Sequence, residues 1–252
     1  MITILTFLLI SSQAPKRLII RAHSHNDYMQ GRPLDEALDN GFTSVEVDVF
    51  PVGGKLLVSH NEKDIKPEKT IESMYLDKLS VRAKANHGRI YPRSKTTFWV
   101  LVDVKKNGAE AYKTFKTILD KYPELKPNKS HVRFVISGDR AIEAIAADKG
   151  KWAGIDGRVE DLGKKYSFEQ MPWISGDYGV LYPMFMTDAR YFAVNFKSPS
   201  AMVKKVHAEH RLIRFWGVPD KAEFWQDLWG YGVDLINTDH IAALRKWELA
   251  QK

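Results

Sequence analysis

The sequence predicts a single-domain α/β protein of the TIM (β/α)8 barrel class. Strand-like and helix-like segments alternate along the 252-residue chain, and repeated strand–helix units imply parallel strands joined by right-handed crossovers. The length is that of one such barrel. The dinucleotide fingerprint G-x-G-x-x-G is absent, which removes the usual support for a doubly wound nucleotide-binding sheet.

The elements follow from local patterning. Residues 18–22 form an apolar run that reads as a buried strand. A short helix over 33–40 has Pro33 at its start and Gly41 after its end. Residues 43–49 alternate Val45, Val47 and Val49 with Glu46 and Asp48, the period of a strand. Gly53 and Gly54 turn the chain into a further strand over 55–59. Helix is expected over 70–79, strand over 97–104, helix over 108–122, strand over 131–137, helix over 139–148 and strand over 152–156. From 157 to 196 prolines and aromatics blur the pattern, leaving candidate strands near 173–175 and 192–195. Helix at 200–210, strand at 212–218, helix at 221–230, strand at 233–237 and a closing helix complete the chain. Phe224, Trp225, Leu228 and Trp229 recur at helical spacing and are assigned to core packing.

Composition narrows the chemistry. With no Cys, a disulfide framework, a Cys-bound zinc or iron–sulfur site and a cysteine nucleophile are excluded. The 38 Lys+Arg against 31 Asp+Glu give a net charge of +7, which suits an anionic substrate. No block of five or more like charges exists, so no nucleic-acid partner is indicated. The apolar, uncharged run of residues 1–10, followed by Ser12-x-Ala14, reads as a short secretory signal over 1–14, leaving 15–252 as the domain. The protein is then expected to be secreted or periplasmic, or cytoplasmic if 1–14 is instead a first strand.

In a barrel, chemistry sits at the C-terminal ends of the strands, and polar residues gather there. They are His23, Ser24, His25, Asn26 and Asp27 after the first run, Glu46 and Asp48, then His60, then Asp103 and Lys105, and finally Thr238, Asp239 and His240. Glu46 and Asp48 share one face of their strand, because side chains repeat every two residues. Two inward carboxylates repel unless a cation neutralises them. With Asp103 they form an all-oxygen set that suits Mg2+ or Ca2+. The competing arrangement is an ion-pair network with Lys or Arg. His23 and His60, on separate strand ends, suit an acid–base pair. Lys105, on the face of Asp103, can neutralise a phosphate oxygen. His23-x-His25 also has the form of a zinc dyad, although Asp239 and His240 are the only further ligands expected at that rim. A non-catalytic phosphate- or glycan-binding barrel is a third reading. His87, His131, His207 and His210 are assigned to surface or structural roles.

Together, Ala22-His23-Ser24-His25-Asn26, the segment Gly41 to Val49, Val58-Ser59-His60 and Val102-Asp103-Val104-Lys105 resemble the PLC-like phosphodiesterase superfamily of TIM barrels. That group includes glycerophosphodiester phosphodiesterases and sphingomyelinase D-type phospholipases. The His-Ser-His-Asn-Asp-Tyr opening is most similar to the fungal altered-inheritance-of-mitochondria proteins and their bacterial relatives. Phe215-Trp216-Gly217-Val218 and the segment Gly232 to Asp239 resemble the last two strands of glycerophosphodiesterases. The resemblance implies a phosphoric diester hydrolase with His23 and His60 as catalytic pair and Glu46, Asp48 and Asp103 holding Mg2+ or Ca2+. Lys105 and Trp216 match positions lining the head-group pocket, and His25, Asn26 and Asp239 join them as candidate substrate contacts. The implied substrate is a small-molecule or lipid phosphodiester, with at most peripheral membrane contact. The third ligand is Asp103 where glycerophosphodiesterases have Glu, and the C-terminal signature of sphingomyelinase D enzymes is missing.

Overall fold

A computed structural model describes residues 17–181 and 199–251. Eight parallel strands form the wall: β1 (Ala22–Ser24), β2 (Ser44–Val52), β4 (Phe98–Val104), β5 (Val132–Gly138), β6 (Gly154–Gly157), β7 (Trp173–Asp177), β8 (Leu212–Trp216) and β9 (Ile236–Thr238). Their order is β8-β7-β6-β5-β4-β2-β1-β9. A parallel bridge between Arg214 and Leu235 joins the two ends, making a single TIM barrel. The expected fold class is therefore the observed one.

Helices pack outside: α1 (Asp35–Asp39), α2 (Asp77–Ala85), α3 (Gly108–Leu119), α4 (Ile142–Ala146), α5 (Tyr178–Leu181), α6 (Pro199–Ala208), α7 (Ala222–Tyr231) and α8 (Ile241–Ala250). In α3 the buried residues Ala111, Tyr112, Phe115, Ile118 and Leu119 recur at helical spacing and form one inward stripe. Trp225 and Leu228 of α7 are likewise buried, with Phe224 and Trp229 packed against the same core. Among the described residues no helix is long and apolar enough to cross a membrane.

Alternation sorts each strand into two faces. Val45, Val47 and Val49 of β2, and Val100, Val102 and Val104 of β4, join the outer core beneath the helices. Inside the barrel Leu101, Val135, Trp173 and Leu235 make a separate apolar plug, with Trp99 and Leu212 against it. The plug fills much of the lower barrel interior.

Two expectations need correction. The first strand lies at 22–24 rather than 18–22, and within the earlier stretch Ile19 makes only an isolated bridge to Phe42. Arg21 turns outward instead, its guanidinium 3.9 Å from the Trp229 ring centroid and its Nε donating to Val233 O at 2.9 Å. The strand β3 (Lys55–Val58) is not in the wall but pairs antiparallel with β2, Val49 opposite Val58. The cause is the Gly53-Gly54 turn, where both residues take positive φ, the geometry of a tight two-residue hairpin. The candidate strand near 192–195 and the expected signal segment 1–14 lie outside the described residues.

Candidate active site

The hairpin explains how His60 reaches the mouth. The β2–β3 ribbon rises past the rim and returns, and Ser59 N donates to Asp48 O at 3.3 Å. His60 then lies with Nδ1 3.0 Å from Asp48 Oδ2, its side chain 56% exposed. His60 is thus brought to Asp48 and Tyr28 at the mouth by a hairpin rather than by a wall strand.

β2 sends Ser44, Glu46 and Asp48 into the barrel, all buried. Register sets Asp48 beside Asp103 of β4. Carboxylate oxygens of Glu46, Asp48 and Asp103 lie within 4.8 Å of one another. Each already has cationic company. Glu46 Oε2 accepts from Arg214 Nη1 at 2.6 Å and lies 3.1 Å from His23 Nε2. Burial alone raises a carboxyl pKa, but Arg214 and the His23 contact hold Glu46 well below the usual range. Lys105 Nζ sits 2.6 Å from both Asp48 Oδ2 and Asp103 Oδ2. Burial would lower that amine, and the two carboxylates outweigh it and raise its pKa. The ion-pair arrangement weighed against a metal is therefore present.

It does not satisfy the site. Asp48 Oδ1 is buried with no hydrogen-bond partner, and burial beside Glu46 pushes the Asp48 carboxyl pKa upward despite Lys105. An unpaired carboxylate oxygen facing two further carboxylates is what a hard divalent cation would satisfy. The chemistry of this all-oxygen donor set fits a hard divalent cation such as Mg2+ or Ca2+.

The two histidines differ sharply. His23 is fully buried, with Nδ1 2.7 Å from Ser44 Oγ and Nε2 3.1 Å from both Glu46 Oε2 and Arg214 Nη1. Its ring meets Trp173 edge-on at 5.8 Å. Burial drives its pKa down to about 4, against the pull of Glu46, so the ring is neutral at pH 7. Of the remaining candidates, His25 Nδ1 lies 2.9 Å from Asp239 Oδ1. Burial lowers its pKa, and the Asp239 hydrogen bond together with the charges of Glu46 and Asp239 raises it above the ordinary value. Asn26 takes a left-handed backbone (φ 46°), and its Nδ2 lies 3.1 Å from His25 Nδ1. Asp27 is instead a structural staple, accepting from Ser24 Oγ, Leu34 N and Tyr75 OH. His23 and His25 belong to no histidine-containing ligand cluster among the described residues, so the zinc dyad gains no support.

Sequence reasoning missed Tyr28, Arg214 and a second polar group. The Tyr28 hydroxyl donates to Asp48 Oδ2 at 2.8 Å and lies 3.3 Å from His60 Nδ1, linking histidine and carboxylate. Arg214 was legible, since Ile213 and Phe215 flank it with outward faces. Further round the mouth, buried Asp156 of β6 accepts from Ser137 Oγ at 2.8 Å, Ser175 Oγ at 2.5 Å and Arg158 Nη1 at 2.8 Å. The Arg158 guanidinium lies 4.8 Å from the ring centroid of Trp216. Gly138, between the two groups, has φ +68°, and a Cβ there would sit 2.5 Å from Asp103 Oδ1. The backbone must therefore pass close beneath the carboxylate.

Known proteins resemble the chain in sequence and in fold. Residues 15–129 match the AIM6-like phosphodiesterase domain, and residues 213–242 match the glycerophosphoryl diester phosphodiesterase family. A glycerophosphodiester phosphodiesterase from Parabacteroides distasonis superimposes with a TM-score of 0.61 at 16% identity, covering 92% of this chain and 97% of that one. An Oleispira antarctica phosphodiesterase, solved with its product sn-glycerol-3-phosphate, gives 0.57 at 11% identity, covering 93% and 96%. Through these two matched segments the chain is similar to the PLC-like phosphodiesterase superfamily, and its fold is that of the two solved phosphodiesterases. The chain is also similar to the altered inheritance of mitochondria protein 6 homolog of Arthroderma benhamiae, 25% identical over 90% of this chain and 83% of that protein. A second similar protein is altered inheritance of mitochondria protein 6 of Eremothecium gossypii, 24% identical over 91% and 70%.

Proposed function

We propose that the protein is a divalent-cation-dependent phosphoric diester hydrolase acting on a small-molecule or lipid phosphodiester. The observation that carries the reading is the triad of buried Glu46 and Asp48 with half-buried Asp103, with Asp48 Oδ1 unpartnered and a histidine on either side of it. Mg2+ or Ca2+ held by these carboxylates would polarise a phosphoryl oxygen.

The chain's own groups then divide the work. His60 donates Nδ1–H to Asp48, which leaves Nε2 as its basic nitrogen. It takes the proton of the attacking hydroxyl or returns one to the leaving oxygen. Tyr28, hydrogen-bonded to Asp48 and beside His60, fixes the orientation of both. His23 is the second acid–base member. Its neutral ring presents Nε2 to both Glu46 Oε2 and Arg214 Nη1, and it exchanges a proton with the substrate only when it leaves those contacts. Lys105 remains an ammonium and stabilises charge on the phosphoryl oxygens. His25, Asn26, Asp239 and Trp216 are the candidate contacts for the substrate's arms.

The test is a panel of glycerophosphodiesters, lysophospholipids, sphingomyelin and phosphoinositides, incubated with Mg2+, Ca2+ or chelator and followed by phosphorus NMR. Cation-dependent appearance of a phosphomonoester or cyclic phosphate is expected. No cleavage with any divalent cation overturns the reading, and stoichiometric bound Zn2+ redirects it to a zinc hydrolase.

A further inference from the structure

The half of the mouth opposite the histidines carries its own charge pattern. Asp156 is fully buried, whereas the Arg158 side chain capping it is 19% exposed. Arg140 Nη1 donates to Asp156 O at 2.7 Å, and its side chain is 16% exposed. The Asp156 carboxylate is thus buried under partly exposed guanidinium groups, and because Arg140 also lies 3.8 Å from Asp161 Oδ2, the cationic group left for a ligand is that of Arg158. Nη1 of Arg158 is held by Asp156 Oδ2, Asp156 O and Gly157 O. Among the described residues Nη2 has only the 3.3 Å contact to Ser137 Oγ.

Arg158 also lies over the ring of Trp216. An aromatic face attracts a cation through its quadrupole, and here a residue of the protein already occupies one. A choline or ethanolamine arm offered to that face meets a guanidinium and is repelled. An anionic arm meets Nη2 of the guanidinium, a charge-assisted donor for a carboxylate or phosphate oxygen. Asp103 pairs in register with Ser137, whose hydroxyl bonds Asp156. Arg158 thus stands two strands from the triad, roughly 10 Å at ordinary strand spacing. That separation suits a second anionic group several bonds beyond the phosphodiester.

We infer that Arg158, stacked on Trp216, selects phosphodiesters whose second arm carries a carboxylate or phosphate and disfavours those with a cationic arm. The inference rests on the phosphodiesterase reading above. Its test compares glycerophosphoinositol 4-phosphate, glycerophosphoinositol and glycerophosphocholine in wild type, Arg158→Lys and Arg158→Gln. Wild type is expected to favour the phosphorylated over the choline substrate by at least about tenfold in kcat/KM, the effect of one contact of ~1.4 kcal/mol. Arg158→Gln should bring that ratio close to one, and Arg158→Lys should keep a measurable part of it. A wild-type ratio within about threefold of unity, on the same tenfold scale, overturns the inference by itself, so it stays falsifiable if Arg158→Gln does not fold. A folded Arg158→Gln that keeps the wild-type ratio overturns it as well. Turnover of no substrate at all overturns the phosphodiesterase reading instead, which separates the two failures.

Discussion

The mouth of this barrel has two unlike arcs. From β1 through β4 it gathers Glu46, Asp48 and Asp103, two histidines and Lys105, and leaves Asp48 Oδ1 without a partner. From β5 through β7 it gathers Asp156 with Ser137, Ser175 and Arg158, and the hydrogen bonds named above engage both carboxylate oxygens of Asp156. The lesson is that buried charge of one sign can be handled in two ways. One arc completes its own neutralisation, and the other stays a carboxylate short of a counter-ion, as a cation-binding site must. Arg214 joins them, donating to Glu46 Oε2 at 2.6 Å and lying 3.4 Å from Ser175 Oγ.

Substitutions can break that contrast in a graded way. His60→Ala should cut turnover about 10²–10⁴-fold, the range for a lost general acid–base group, while thermal unfolding stays unchanged because the side chain is largely exposed. Next in size is Arg214→Met, which strands Glu46 as an unpaired buried charge. Denaturant unfolding should show a loss of about 3–5 kcal/mol, and adding Glu46→Gln to the same chain should recover part of it. Adding Mg2+ or Ca2+ should stabilise the wild type by about 2.7 kcal/mol at a hundredfold excess over Kd, and Asp48→Asn should abolish that gain. If Asp156→Asn abolishes it equally, the two arcs are not distinct.

The smallest effect comes from outside both arcs. Burial raises the Glu248 pKa to about 7, against Arg21 and Arg17, and its Oε2 is unpartnered. A carboxyl whose folded pKa exceeds its unfolded value supports the fold fully below the unfolded value, near 4.5, and loses that support as pH rises through the folded one. Wild type should therefore weaken between pH 5 and 8 relative to Glu248→Gln, by about 1–2 kcal/mol after allowance for solvent screening. Parallel stability–pH curves for the two proteins would refute the assignment.

Much of the first arc was legible because period-two alternation on β2 and β4 forces Glu46, Asp48 and Asp103 inward whatever lies around them. The same rule applied to Leu212–Trp216 would have found Arg214, and the rule of polar residues at strand ends would have found Asp156 and Arg158. The pairing of residues 55–59 was missed. By composition they read as a wall strand, and only the Gly53-Gly54 loop before them, too short for a parallel crossover, marks them as the return limb of a hairpin. Burial was hidden. His23 and His60 look alike as strand-end histidines, yet Trp173 and Ser44 enclose one while the other lies largely exposed at the hairpin's end.

The closure of the barrel has a dynamic consequence. β8 and β9 meet through the single bridge at Arg214 and Leu235, with Asp234 N and Leu235 N each 3.2 Å from Ile213 O, whereas β4 and β5 pair along seven residues. In native-state hydrogen exchange the amides of Asp234 and Leu235 should report the lowest-energy opening of the wall. Arg214 sits at that seam and reaches across to Glu46. The ion pair thus acts as a latch as well as a charge balance, and exchange at the seam should quicken when it is removed.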